Sequence, residues 1–146
     1  MTTYADGSAI VRRSREQPGS DVAGVVWARA AIVASSAIAF PEARAALARA
    51  HRDGELDGHE LHEAACALER VFAEVTVIPV DIELALTAGG LAEHHGLDTA
   101  DALHLATALT LDAPRVVVAT WSTELASAAA DRGLAVVPRQ PAPVAA

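Results

Sequence analysis

The sequence predicts an α/β domain with a mostly parallel central sheet, and three observations carry that prediction. Short β-rich runs alternate with longer runs of helical periodicity, the pattern of strand–helix–strand units. Residues 115–120 read RVVVAT, a continuous β-forming stretch of the kind covered on both faces. The composition is 52% hydrophobic but only 3% aromatic, so alanine, valine and leucine must build the core. The chain's 146 residues suffice for one proper core and fall short of two comfortable ones.

Residues 3–6 read as the first strand. Asp6-Gly7-Ser8 is a turn leading into a helix, with Ser8 placed to cap it. Gln17-Pro18-Gly19-Ser20-Asp21 is a break, and Ser20 or Asp21 suits the cap of a helix through Val25, Val26 and Trp27. Residues 31–35 read as a buried strand, with Ser35 or Ser36 starting the next helix. Pro41 either kinks that helix or marks its first turn, and the helix ends near Asp53-Gly54. Residues 57–74 carry Leu61, Ala65, Leu68 and Phe72 at helical spacing. Residues 76–80 are β-rich, and 81–95 are helical up to Gly96. Residues 97–111 hold the strongest helical pattern. After the 115–120 strand, 122–132 is helical and closes on Gly133. Residues 134–138 complete the strands, giving one domain over 1–138. The proline- and alanine-rich segment 139–146 reads as a loose, flexible tail.

The formal net charge of −8 argues against a constitutive nucleic-acid coat protein. It is compatible with an enzyme whose own site is acidic. Cys66 is the single cysteine, so no internal disulfide forms, and it reads as a buried small hydrophobe. The longest apolar stretch, ARAAIVASSAIAF, is short of a membrane span and broken by serines. No basic segment followed by an apolar one marks a leader. The expectation is a soluble cytoplasmic protein with no membrane partner.

Three acids stand out against apolar surroundings. Asp6 closes the first strand. Glu42 lies within SAIAFPEARAALA, flanked on a helical projection by Ile38, Ala39, Ala45 and Ala46. Asp101 lies within GLDTADALHLATAL, flanked by Leu97, Leu105 and Ala108. A buried carboxylate is disfavoured by several kcal/mol unless a positive group meets it. The pattern therefore predicts one buried acidic cluster, and a hard divalent cation is the common partner of such clusters. Ligands of parallel α/β sheets bind beyond the carboxyl ends of the strands. Asp6 lies at one such end and Thr120-Trp121-Ser122 at another. No G-x-S-x-G elbow supports acyl chemistry, and no glycine-rich loop is placed to cradle phosphates.

YADGSAIV, then PEARAALARA, then LDTADALHLATAL, then VVVATWSTELASAAADRGLAVV resembles a PIN-domain nuclease of the VapC toxin type, in the family's order and spacing and over nearly the whole chain. The third motif is the most specific. The resemblance implies an α/β/α sandwich and a Mg²⁺- or Mn²⁺-dependent endoribonuclease, the toxin half of a toxin–antitoxin pair. It implies three partners: an RNA substrate, a cognate antitoxin and a second copy in a homodimer. Carried over, the catalytic and metal-holding acids are Asp6, Glu42 and Asp101, with Ser8 beside the first. The family usually places a fourth acid where this chain has Ser122. Glu124, two residues on, is expected to point elsewhere, and Asp98, one turn before Asp101, partly compensates. The departure predicts weaker metal affinity. It also opens an alternative, a catalytically impaired PIN domain that binds RNA or protein.

Local readings compete with these roles. Asp6 also suits a turn, and Glu42 suits a helix first turn behind Pro41. Asp98 and Ser122 suit helix N-caps. His104 suits a structural or orienting role, and His94-His95 a solvated surface. Arg12, Arg13 and Arg15 suit either RNA phosphate contacts or a solvated face. Trp121 suits either stacking on a base or packing.

Overall fold

The first strand, β1 (Thr2–Ala5), occupies the middle of the sheet. In the computed structural model, which describes residues 1–139, the chain steps outward from β1 to β2 (Ile32–Ser36) and β3 (Thr76–Ile78). It then crosses to the other side of β1 for β4 (Val116–Ala119) and β5 (Ala135–Val137), giving the order β3-β2-β1-β4-β5. Every pairing among the described residues is parallel, so the sheet goes beyond the mostly parallel expectation. The register sets Tyr4 beside Ala34 and Val118, and Ala5 beside Ala119.

Successive side chains of a strand face opposite sides, and β1 shows the consequence. Tyr4 joins Val116, Val118, Leu105 and Leu125 in one apolar cluster. That cluster is closed by α5 (Ile82–His95), α6 (Thr99–Leu109) and α7 (Thr123–Asp131). Ala5 faces the other side with Val33 and Ala119, against α1 (Gly7–Ser14), α3 (Ala39–Arg52) and α4 (Gly58–Ala73). The result is the α/β/α layering implied by the resemblance. The remaining helix, α2 (Ser20–Arg29), follows α1.

Several helix starts differ from the sequence reading because neighbouring polar residues compete to cap. Asp6, not Ser8, caps α1, its side chain accepting from the Ala9 N–H. Gly19 precedes α2, and Ser20 is its first helical residue, bonded back to the Gln17 N–H. Neither Ser35 nor Ser36 starts α3, which begins at Ala39 without a side-chain cap. The Ser35 hydroxyl instead bonds the Ala5 carbonyl across the sheet, and Pro41 sits in the helix's first turn. Asp57 and Glu60 form a capping box on α4. Asp98 and Ser122 cap α6 and α7 as read. Gly96 ends α5 with φ +67°, a backbone that other residues rarely adopt.

Cys66 is half-buried rather than buried, with its Sγ 3.7 Å from His62 Nε2. His95 is also half-buried, unlike its solvated neighbour His94. No helix among the described residues is long and apolar enough to cross a membrane. The tail read over 139–146 lies outside the described residues beyond Arg139.

Candidate active site

Leaving β1, the chain packs α1 on one face of the sheet; leaving β4, it packs α7 on the other. The carboxyl ends of these adjacent strands therefore diverge, and such a divergence opens a crevice. Asp6 follows β1, and Thr120, Trp121 and Ser122 follow β4.

Asp6 is 3% exposed and fixed through both oxygens. Its Oδ1 accepts from the Ser8 hydroxyl at 2.6 Å and the Ala9 N–H at 3.0 Å. Its Oδ2 accepts from the Thr120 hydroxyl at 2.6 Å. The Ser8 and Thr120 oxygens in turn accept from the backbone N–H groups of Trp121 (2.8 Å) and Ser122 (3.0 Å). Two strand ends 114 residues apart are thus joined through one carboxylate.

Glu42 reaches the crevice from the first turn of α3. Its Oε1 accepts from the Gly7 N–H at 3.1 Å and lies 2.7 Å from His104 Nε2. A Cβ on residue 7 would sit 2.1 Å from that same oxygen, so any other residue would force the Glu42 carboxylate out of this position. His104 is wholly buried on α6, and its Nδ1 lies 2.7 Å from the Tyr4 hydroxyl. Burial alone lowers the His104 pKa. The hydrogen bond to Glu42 and the charges of Asp6, Glu42 and Asp101 outweigh it, leaving the group above its ordinary value. Burial pushes the Tyr4 phenol up, so it stays protonated.

Asp101 enters from the first turn of α6, its backbone N–H capped by Asp98. Its Oδ2 accepts from the Ser122 hydroxyl at 2.7 Å. Burial raises the Asp101 pKa, the Ser122 bond opposes that, and the charges of Asp98 and Asp6 raise it further.

These residues line one open cleft of about 480 Å³, with Asp6, Ser8, Glu42, Asp98, Asp101 and Ser122 on its walls. Only Asp6 is fully buried; Glu42 and Asp101 are half-buried, which corrects the expectation of a buried cluster. Glu124 also lines the cleft, against the expectation that it points away, and its Oε2 accepts from the Thr123 hydroxyl at 3.1 Å. Arg12 and Arg49 stand on the same walls with Trp121. The Arg12 guanidinium lies 4.6 Å from the Trp121 ring centre and donates to the Ser8 and Pro18 carbonyls. Arg13 and Arg15 do not reach the cleft. Arg13 lies over Trp27, and Arg15 pairs with Glu55 at 3.3 Å.

The donor chemistry fits a hard divalent cation. The hydrogen bonds fall on Glu42 Oε1 and Asp101 Oδ2, leaving Oε2 and Oδ1 for other partners. Neither Asp6 nor Asp101 forms an ion pair among the described residues. The acids are not drawn together in advance, since among the described residues no three His, Cys, Asp or Glu side chains converge as a metal-binding group. Tyr4 and Thr120 were not marked by the sequence. The hydroxyl that closes RVVVAT at the strand's carboxyl end was the available signal for Thr120. Nothing local pointed from Tyr4 to a histidine 100 residues away.

The family profile described as PIN domain matches residues 3–130. Ribonuclease VapC45 of Mycobacterium tuberculosis is 38% identical over 137 residues, covering 94% of this chain and 95% of that protein. Ribonuclease VapC49 of the same species gives the same figures. Among solved structures, FitAcB from Neisseria gonorrhoeae superposes with a TM-score of 0.66 at 25% identity, covering 92% of this chain and 95% of that one. A toxin–antitoxin complex from Klebsiella pneumoniae gives 0.61 at 16% identity over 86% and 90%, a likeness of fold. With the profile spanning most of its length and relatives sharing more than a third of their residues with it, this chain belongs to the PIN domain family.

Proposed function

We propose that residues 1–138 form one catalytic unit, a Mg²⁺- or Mn²⁺-dependent endoribonuclease that acts as the toxin of a toxin–antitoxin pair in the cytoplasm. The observation that carries this reading is Asp6, Glu42 and Asp101 meeting in one cleft at the β1/β4 divergence. The similarity to proteins named ribonuclease VapC supplies the reaction. Asp6, Glu42 and Asp101 would hold the cation, with Asp98 and Ser122 behind Asp101 and Ser8 behind Asp6. A bound divalent cation supplies Lewis-acid charge and a water acidic enough to attack phosphorus near neutral pH.

The chain's own groups set up that attack. Thr120 and Ser8 keep Asp6 from rotating, and Ser122 does the same for Asp101. Arg12 and Arg49 bring positive charge to the rim, where the RNA backbone passes. Trp121 lines the cleft beside them, with the Arg12 guanidinium over its ring. Arg13 and Arg15 would serve RNA only beyond the cleft. Water adds across one P–O bond, leaving a phosphate monoester and a free hydroxyl.

The antitoxin partner is supported by the toxin–antitoxin complex from Klebsiella pneumoniae, one chain of which shares this fold. A basic antitoxin side chain entering the cleft would meet the same carboxylates as the cation. A homodimer is supported by Ile82 and Leu86, one turn apart on α5 and 76% and 71% exposed.

One observation favours a second reading, an impaired PIN domain that binds RNA or protein. The Ser122 hydroxyl is already bonded to Asp101, at the position where the resemblance would put the family's fourth acid. Cleavage of RNA in Mn²⁺ buffer, with and without chelator, separates the two. The first reading expects cleavage that chelator and Asp101→Asn both abolish. Asp101→Asn should melt no lower than the parent, because burial already disfavours the charge it removes. Cleavage that survives the chelator sinks the metal-dependent mechanism. Binding without cleavage, with activity appearing in Ser122→Asp, establishes the second reading.

A further inference from the structure

We propose that Tyr4 and His104 are positioning residues for Glu42, a buried relay that ties back one carboxylate oxygen and presents the other to the cleft. The proposal rests on the metal-centre reading above and adds to it two residues with no access to substrate.

The geometry is continuous. Tyr4 stands in the central strand and His104 on α6, both wholly buried, with hydroxyl and Nδ1 2.7 Å apart. Their rings meet edge to face with centroids 5.8 Å apart, which leaves the imidazole little freedom to turn. The opposite ring nitrogen, Nε2, lies 2.7 Å from Glu42 Oε1. The Glu42 carboxylate oxygen can only accept, so the ring proton sits on Nε2, and Nδ1 of a neutral imidazole then accepts from the Tyr4 hydroxyl. An imidazolium carries a proton on Nε2 as well, so either form donates to Oε1. The Gly7 N–H donates to the same oxygen from the far side. Oε1 is therefore held by two donors from two elements, and the only carboxylate oxygen left to turn into the cleft is Oε2.

Among the described residues, Glu42 is bonded only by His104 and the Gly7 N–H. It is a long side chain in the first turn of α3, behind Pro41, with 33% of its side chain exposed. Unheld, it would sample several rotamers, and each lost rotamer weakens any ligand it contributes to. Asp6 is a short side chain fixed by three bonds. Glu42 needs a device that Asp6 does not.

Second-sphere partners of this kind typically change metal affinity by about tenfold or more when removed. Mn²⁺ binding to the full chain, measured by calorimetry, is the test. Tyr4→Phe keeps the packing and deletes the hydroxyl; it should weaken Mn²⁺ binding about threefold. His104→Leu deletes the donor and should weaken it about tenfold, and His104→Gln, which retains a donor, should recover part of the loss. Combining His104→Leu with Glu42→Gln should weaken binding no further than Glu42→Gln alone, since both remove the same contribution. A purely structural histidine would lower the melting temperature without this non-additivity.

If the wild-type chain takes up no Mn²⁺, the metal-centre reading falls and the relay with it. If the wild type binds, Asp101→Asn loses binding, and Tyr4→Phe and His104→Leu bind within twofold of wild type while folded by circular dichroism, the relay alone is overturned. Should the leucine variant not fold, the phenylalanine variant decides by the same twofold limit.

Discussion

Gly7 shows how much one missing side chain can decide. It sits directly after the strand-end acid, and its bare backbone lets Glu42 come within hydrogen-bond distance of its N–H. Gly7→Ala places a methyl 2.1 Å from Glu42 Oε1 and must drive the carboxylate away. The atoms it meets belong to a flexible, half-exposed side chain that can swing aside, so the global fold should lose little while the Gly7 and His104 bonds to Glu42 are lost. The expected result is a near-parental urea midpoint together with loss of RNA cleavage in Mn²⁺ buffer. Cleavage at the parental rate would show that Glu42 is not needed where it stands. At this scale the three acids were legible because each interrupts an apolar pattern that a local helical projection exposes. Their supports were legible only in part. Read locally Ser8 was a cap, and the resemblance set it beside the first acid; in the structure it bridges Asp6 and the Trp121 N–H. The sequence reading turned Glu124 away from the site, yet the first turn of α7 brings it onto the cleft wall.

At the scale of elements, α6 links stability to chemistry. Ala102, His104, Leu105, Ala106, Thr107 and Ala108 are all buried, so just over half of the helix, and most of its last two turns, is core. Asp101 takes its position from that packing. Leu105 is fully buried, and Leu105→Ala should lower unfolding free energy by about 2–5 kcal/mol. Per folded molecule, cleavage at low temperature should stay near the parental rate, because the first turn still carries Asp98 and Asp101. Loss of activity in a folded sample would mean that α6 shifts when hollowed. Helix existence was legible because periodicity is a local property, as α3, α4, α5 and α6 illustrate. Helix starts were less legible because Asp6, Ser8, Ser20, Ser35 and Ser36 are all capable caps. Only the tertiary partners of each hydroxyl decide among them.

On the scale of the whole molecule, the strand order creates the site. The chain visits β1, β2 and β3 on one side and returns for β4 and β5 on the other, so its first and fourth strands become neighbours. That order brings residues 6, 101 and 120–122 together at one edge. On the outer surface, the unpaired apolar pair on α5 bears on assembly. If Ile82 and Leu86 close a homodimer, Leu86→Asp places a charge in its apolar contact and should shift the sedimentation coefficient from dimer to monomer, with the circular dichroism spectrum unchanged. A parent chain that already sediments as a monomer at tens of micromolar would remove the dimer from the proposal.

By itself the sequence determined the alternation of strands and helices, the three acids and the family resemblance, because each of these is carried by spacing along the chain. Only the tertiary structure decided what surrounds those acids. Hydrogen-bond partners separated by 62, 100 and 114 residues leave no periodic trace in a sequence. Their pairing follows from which strands become neighbours and which faces their side chains take, and those are fixed only when the whole sheet and its helices pack together.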